Sequence, residues 1–316
     1  MNDSIHIPVL LHEVLQYLRC ERRGSYLDCT LGGGGHAKSI AGSICPEGRV
    51  VGIDRDGDAI ARAKDELKEF GDCISYVHGN FSEMDSLLVP FGGVCFEGIL
   101  MDLGFSSTQV DDAERGFSFM RPGPLDMRMD RRHKLTAFEI VNEWPENDIN
   151  RILREYGEER WWKRISRAIC RARREKAIES TEGLRETIEA AVPGGGRGKA
   201  IHPATRVFQA LRIAVNGELE ALEVALPKAI DLLKPEGRLA VISYHSLEDR
   251  IVKQAFRTYA KGCICPPDFP ICRCGRKPTV RIITKKVVRP GTSEIQLNPR
   301  SRSAKMRVCE KLSPSA

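Results

Sequence analysis

The chain has 316 residues, 41% hydrophobic and 29% charged, with a net charge of +6 at neutral pH. That length supports a large core and more than one domain, and the composition reads as an ordinary soluble globular protein. The opening run Met1-Asn2-Asp3-Ser4-Ile5-His6 lacks the basic flank of a secretory leader, and no apolar run approaches a membrane span. A cytoplasmic protein without membrane association is therefore expected, with its eleven cysteines as reduced thiols or metal ligands rather than disulfides.

The charge is unevenly spread. Between Arg273 and Lys311 stand twelve Lys or Arg against Glu294 and Glu310, so this segment is +10 and the remainder −4. A second basic stretch, Arg151 to Lys176, has ten basic residues against four glutamates. One such stretch is usually a solvated face; two point to a polyanionic partner, most commonly nucleic acid.

In chain order, Tyr26-Leu27-Asp28 reads as a short strand ending in an acid. It breaks into Gly32-Gly33-Gly34-Gly35 and re-enters a helix at His36. Val50-Val51-Gly52-Ile53-Asp54 is a second strand with a terminal acid. This is the outline of a βαβ nucleotide site, in which glycines admit a ligand to the backbone and the second acid accepts ribose hydroxyls. A dinucleotide site favours G-x-G-x-x-G with no acid before it, because its pyrophosphate sits on the helix N-terminus. S-adenosylmethionine has no phosphate and carries an α-ammonium, which an acid at the position of Asp28 can anchor. The two acids in register favour S-adenosylmethionine over NAD.

A helical segment over 58–70 leads to a third strand, Ile74-Ser75-Tyr76-Val77-His78, followed by Phe81. A fourth strand over 98–104 contains Asp102. The alternation predicts a parallel, doubly wound sheet with Asp28, Asp54, Phe81 and Asp102 gathered at its carboxyl ends. It then stops. Over 151–177 the spacing of Ile152, Tyr156, Ile165, Ile169 and Ala172 is helical, and another helix opens at Thr181-Glu182 and ends at Pro193-Gly194. Strand chemistry resumes at 237–243, reached through a long helix over 204–233. The expected fold class is α/β: a Rossmann-like S-adenosylmethionine-dependent methyltransferase sheet over 1–110 and 203–316, with an inserted all-helical substrate-recognition domain at 111–202.

Several blocks carry a closer likeness. They are Thr30-Leu31-Gly32-Gly33-Gly34-Gly35-His36, Asp102-Leu103-Gly104-Phe105-Ser106-Ser107 with Gln109, and Asp112-Ala113-Glu114-Arg115-Gly116-Phe117-Ser118-Phe119. Gly123-Pro124-Leu125-Asp126-Met127-Arg128-Met129, Tyr156-Gly157-Glu158-Glu159-Arg160 and His202-Pro203-Ala204-Thr205-Arg206 continue them. Ser243-Tyr244-His245-Ser246-Leu247-Glu248-Asp249-Arg250 and Asn298-Pro299-Arg300-Ser301-Arg302-Ser303 complete the set. Across nearly its whole length the chain resembles the RsmH/MraW family. That family methylates the exocyclic 4-amino group of a cytidine in the decoding region of bacterial 16S ribosomal RNA.

The resemblance implies S-adenosyl-L-methionine as cofactor and 16S ribosomal RNA, within the small ribosomal subunit, as partner. It implies that Gly34, Gly35 and His36 line the methionine part of the cofactor and that Asp54 accepts the ribose hydroxyls. Phe81 would lie beside the adenine, and Asp102 and Gln109 nearest the methyl group. The residue types suit those tasks on their own chemistry. Taken singly, Phe81 reads as core, Asp102 as a helix cap and His36 as a packing residue.

Amino-methylating enzymes usually follow the fourth-strand acid with Pro-Pro-aromatic. Here the run is Asp102-Leu103-Gly104-Phe105, which leaves Asp102 two roles, catalytic amine acceptor or cofactor holder. Carbon-5 methylation normally uses a Pro-Cys nucleophile, and the chain has no Pro-Cys dipeptide. Arg115, Arg128, Arg206, Arg212 and the block from His245 to Arg250 are expected to position RNA or dock the domains. Trp161 and Trp162 are either base-stacking or core residues.

Cys263, Cys265, Cys272 and Cys274 flank a proline-rich turn. They either close tetrahedrally around a metal, which would be zinc, or form a hairpin of reduced thiols. Rival functions are methylation of another RNA, a DNA or a protein, and a non-catalytic RNA-binding assembly factor that keeps the cofactor fold.

Overall fold

The computed structural model describes residues 8–20, 23–196, 202–261, 263, 265–266, 269–271 and 273–313. Packing divides the chain into two compact units, Met1–Gly104 with Leu219–Ala316, and Phe105–Glu218. The sequence reading set the insert at 111–202. The units divide instead at Gly104/Phe105 and Glu218/Leu219, because helix Pro203–Asn216 buries Val207, Phe208 and Leu211 in the same core as the insert's other helices.

The first unit is built on strands β1 (Ser25–Asp28), β2 (Arg49–Asp54), β3 (Ile74–His78), β4 (Phe96–Asp102), β5 (Leu233–Ser243), β6 (Val280–Ile282) and β7 (Lys305–Lys311). Their order is β3-β2-β1-β4-β5-β7-β6. Strands β1 to β5 pair in parallel, and β7 runs antiparallel to both of its neighbours. Successive strand residues point to opposite faces, and here both faces are covered. Leu27, Val51, Ile99, Met101, Leu239 and Val241 pack on helices Glu218–Leu232 and Ser246–Lys261. Their neighbours Tyr26, Val50, Leu100, Ala240 and Ile242 pack on helices Leu11–Leu18 and Gly35–Ile44. The strand order reverses at β1, between β2 and β4, which opens a crevice at the carboxyl ends of those strands.

Two sequence expectations change. The predicted long helix is two, Pro203–Asn216 and Glu218–Leu232, because Gly217 takes φ +56° and ends the first. The C-terminal basic segment, expected to face a polyanionic partner, is in part a core strand. Its residues 305–311 form β7, with Met306, Val308, Cys309 and Glu310 buried. Glu310 accepts from Arg238 at 3.0 Å and from Arg281, and Arg307 is forked onto Asp249 at 2.7 and 3.2 Å.

The second unit is helical and shares one core, including Leu125, Ile140, Ile152, Ile165, Ile169, Leu184 and Leu211. Two glycines shape the segment before its first long helix. A Cβ at Gly116, where φ is +67°, would meet the Pro124 carbonyl at 2.1 Å, and one at Gly123 would meet the Ala113 carbonyl at 2.0 Å. The Arg115 guanidinium ties the same segments together by donating to the carbonyls of Arg128 (3.0 Å) and Met129 (2.9 Å). Among the described residues no helix is long and apolar enough to cross a membrane.

Candidate functional site at the strand ends

β1 ends at Asp28, whose Oδ1 accepts from the Thr30 N–H (3.1 Å) and the Thr30 hydroxyl (3.4 Å). Thr30 Oγ1 in turn accepts the backbone N–H of Asp102 at 2.7 Å, so one threonine ties the ends of β1 and β4. The glycine loop is anchored from β2: Asp54 Oδ2 accepts the Gly32 N–H at 2.7 Å and Oδ1 accepts the Asp56 N–H at 2.8 Å. Gly34 has φ +85° and starts helix Gly35–Ile44 without a side-chain cap. A Cβ there would stand 2.7 Å from Leu67 Cδ1, and one on Gly35 would stand 2.6 Å from Pro8 Cγ. The helix begins with positively polarised N–H groups at the crevice, without a side-chain cap among the described residues.

His36 and Asp102 meet there. His36 Nε2 lies 3.0 Å from the Val9 carbonyl, and since a carbonyl only accepts, Nε2 carries the proton and Nδ1 a lone pair. That Nδ1 is 3.6 Å from Asp102 Oδ2. Asp102 Oδ1 accepts the Tyr244 hydroxyl at 2.9 Å. Tyr244 follows directly on β5, beside β4 in the sheet, and its turn is held by Glu248, which accepts the N–H of Tyr244 (2.8 Å) and of His245 (3.3 Å).

Three carboxyl groups converge in this crevice, Asp28 buried and Asp54 and Asp102 partly exposed. Burial pushes Asp28 up to about 6, opposed by His36 and reinforced by Asp102 and Asp54. Burial pushes Asp102 up to about 7, with the Tyr244 hydroxyl pulling the other way. Asp54 is raised by burial, and His36 is held below its ordinary value by burial, so it is neutral near pH 7. Asp28 Oδ2 is buried with no hydrogen-bond partner among the described residues. A dehydrated acidic cluster with an unsatisfied oxygen is built for a cationic donor. The neighbouring Cys29 thiol is held well above its ordinary value by burial and is no nucleophile.

The structure brings Gly34, Gly35, His36, Asp54 and Asp102 to the ends of β1, β2 and β4. Phe81 follows β3, 9% exposed, with the Arg55 guanidinium 5.8 Å from its ring centre. Gln109 belongs to the helical unit, where its Oε1 accepts the Ser106 N–H at 3.0 Å and its own N–H donates to Ser106 Oγ at 3.3 Å. Thr30 and Tyr244 are the site residues that the sequence reading missed. Both stood inside blocks that carry the family likeness, and neither was given a role of its own. The adjacency of β4 and β5 was the missing information.

Other expected residues prove to be committed within their own units. Arg128 is forked onto Asp126 at 2.8 Å, Arg206 donates to the Glu158 carbonyl at 3.1 Å, and Arg212 pairs with Glu218 through two 2.8 Å bonds. Phe105 carries Arg212 at 4.5 Å from its ring centre and stacks on Phe117. Trp161 and Trp162 pack against the helical core, with Arg160 and Arg164 over the first ring and Arg154 and Lys163 over the second. Cys45 and Cys73 are bonded as a disulfide, against the expectation of reduced thiols or metal ligands rather than disulfides. Cys263, Cys265 and Cys274 lie together, and Cys272 is outside the described residues.

Comparison with known proteins places this arrangement. Residues 3–312 match the MraW methylase family. Ribosomal RNA small subunit methyltransferase H of Symbiobacterium thermophilum is 52% identical over 307 residues, 97% of this chain and 96% of that one. The protein of the same name from Heliobacterium modesticaldum is 52% identical over 97% of this chain and 98% of its own. That from a Geobacter species is 51% identical over 99% and 100%. The solved rRNA methylase of Streptococcus thermophilus is 10% identical, with a TM-score of 0.43 over 96% of this chain and 94% of that one. With the family match running almost from end to end, the chain belongs to the MraW methylase family.

Proposed function

We propose that this methylase is an S-adenosylmethionine-dependent enzyme of small-subunit 16S ribosomal RNA, acting on the exocyclic 4-amino group of a cytidine in the decoding region. The observation that carries the reading is the buried acidic crevice, with the partnerless Oδ2 of Asp28 beside uncapped helix N–H groups. Those groups fit the ammonium and carboxylate of a methionine moiety, and Asp54 suits the ribose hydroxyls. Gly34, Gly35 and His36 would line that moiety, and Phe81 the adenine. When bound, S-adenosylmethionine supplies an electrophilic methyl group on a sulfonium.

The chain's own residues then manage the amine. Its nitrogen lone pair is delocalised into the cytosine ring, so an acceptor on its N–H raises its nucleophilicity. In the transfer the amine gains a methyl group and gives up one proton. Asp102 titrates near neutrality, up to about 7, and can take that proton at Oδ2, with His36 Nδ1 3.6 Å away to share it. Tyr244 holds Oδ1 and leaves Oδ2 as the working oxygen. The raised Cys29 thiol argues against thiolate attack at carbon 6, which carbon-5 methylation would need.

The RNA partner is supported by the exposed face of helix Trp162–Glu175. Lys163, Arg167, Arg171 and Arg174 form a basic stripe there at helical spacing, opposite buried Ile165 and Ile169. Such a stripe suits phosphates.

The test is mass-spectrometric mapping of 16S ribosomal RNA from cells lacking this protein. Loss of one N(4)-methylcytidine mark, restored by the wild-type chain and not by an Asp102→Ala chain, is the expected result. An unchanged methylation map would overturn the reading.

A further inference from the structure

The connection from helix Ser246–Lys261 to β6 is long, and none of its described residues belongs to a helix, a strand or a hydrophobic core cluster. Within it the Phe269 N–H donates to the Pro266 carbonyl at 3.1 Å, and Thr279 reaches back to the Tyr259 carbonyl at 3.0 Å. Two of its apolar side chains face water: Phe269 is 48% exposed and Ile271 74%. A loop of this length without secondary structure ordinarily needs a staple or a function.

Three thiols supply the means. The Sγ atoms of Cys263, Cys265 and Cys274 all lie within 4.8 Å of one another, and Gly275, at φ +64°, turns the chain directly after the last. The Cys263 and Cys274 sulfurs are 3.8 Å apart. A disulfide needs about 2.05 Å, so this is not a bond. Two sulfurs at about 2.3 Å from a tetrahedral ion stand about 3.8 Å apart, which is the observed separation. Soft thiolates on a small tetrahedral edge select zinc among the divalent metals that prefer oxygen or octahedral sites.

We propose that Cys263, Cys265 and Cys274 hold one zinc ion, which pins the connection and with it the exposed Arg273, Arg276 and Lys277. Helix Ser246–Lys261, 16 residues and about 24 Å long, separates the thiols from Tyr244 at the strand ends, so the site supplies no step of methyl transfer; its role is to order a basic loop. Zinc enters as each thiol gives up its proton, so occupancy rises with pH.

The experiment is metal analysis of the full chain purified without chelators. Wild type should carry about one zinc per chain. Cys263→Ser with Cys274→Ser should carry almost none, and Cys95→Ser, an exposed cysteine elsewhere, should match wild type. Cobalt exchanged into the site should give the thiolate charge-transfer and tetrahedral d–d absorption, absent in the double variant. Chelation should speed tryptic cleavage after Arg273 and Arg276 by roughly tenfold or more, reversed by added zinc. Zinc no higher in wild type than in the double variant would overturn the proposal. So would iron in place of zinc, or a mapped Cys263–Cys274 disulfide in freshly purified protein. Circular dichroism of the double variant distinguishes loss of the ion from loss of the fold, and the cobalt spectrum of wild type tests the site without any substitution.

Discussion

Tyr244→Phe removes a single hydroxyl, the one that donates to Asp102 Oδ1 at 2.9 Å. A hydrogen bond to a charged group contributes about 1.5–3 kcal/mol. At about 1.36 kcal/mol per pKa unit, its loss should raise the Asp102 titration by about 1–2 units above its present value. The direction follows from the present balance, in which burial lifts Asp102 to about 7 against the pull of that hydroxyl. If ionised Asp102 accepts the amine proton, the saturated methylation rate climbs with pH through this titration. The variant should then lose roughly 5–50-fold at the pH where the wild-type enzyme is half-maximal, and regain the wild-type plateau in alkali. A bound sulfonium shifts both limbs down together, so the displacement between the two enzymes is the quantity that decides. The assay is single-turnover transfer of a labelled methyl group at saturating cofactor, repeated across the pH range, with Asp102→Asn alongside. Superimposable limbs, or a loss equal at every pH, would refute the reasoning. A wild-type limb surviving in Asp102→Asn would assign that titration to another group.

Asp54→Ala should weaken S-adenosylmethionine binding by roughly 1.5–3 kcal/mol per lost charged hydrogen bond, leaving RNA affinity intact; unchanged cofactor affinity by calorimetry would remove Asp54 from the ribose. Cofactor binding should release protons at a pH between the values of Asp28 and Asp102, about 6 and about 7, because a cation beside them favours their ionised forms. Calorimetry in two buffers of different ionisation enthalpy counts those protons, and zero release or net uptake would contradict the acidic-crevice reading. Glu310→Ala strands Arg238, whose side chain is 8% exposed, and should cost about 3–5 kcal/mol in denaturant unfolding. Burial works against ionisation of Glu310, but its bonds from Arg238 and Arg281 outweigh it and hold the carboxyl below its ordinary value. The pair's contribution is therefore complete above the ordinary carboxyl pKa and fades as pH falls through the lowered one, so the two proteins should converge in acid and a constant gap would argue against the pair. Arg171→Ala with Arg174→Ala should flatten the salt dependence of RNA binding by roughly 1.4–1.8 in log–log slope, and an unchanged slope would clear the helix face of phosphate contact.

The parts of this protein legible in the sequence are those written in local patterns. Short apolar runs ending in acids gave β1, β2 and β4 and put Asp28, Asp54 and Asp102 at strand ends. The four glycines announced a close backbone approach, and helical spacing marked Ile165 and Ile169 as the buried face of the insert's basic helix. Each signal lies within a few residues, where strand and helix periods fix which side chains share a face. Pairing and burial decided the rest. β7 alternates basic and apolar residues and so read as part of a basic segment for a polyanionic partner, until pairing with β5 and β6 buried Met306, Val308 and Cys309 and set Arg307 on Asp249. The arginines of the helical unit were expected to position RNA or dock the domains; the carbonyl and carboxylate partners that hold them within the unit are invisible in one dimension. Tyr244 lies 142 residues from Asp102, and only the β4–β5 register sets its hydroxyl on that carboxylate. The sequence by itself determined which strands end in acids. Only the tertiary structure decided the charge states of those acids, because desolvation depends on everything packed around a group, and no local spacing records it.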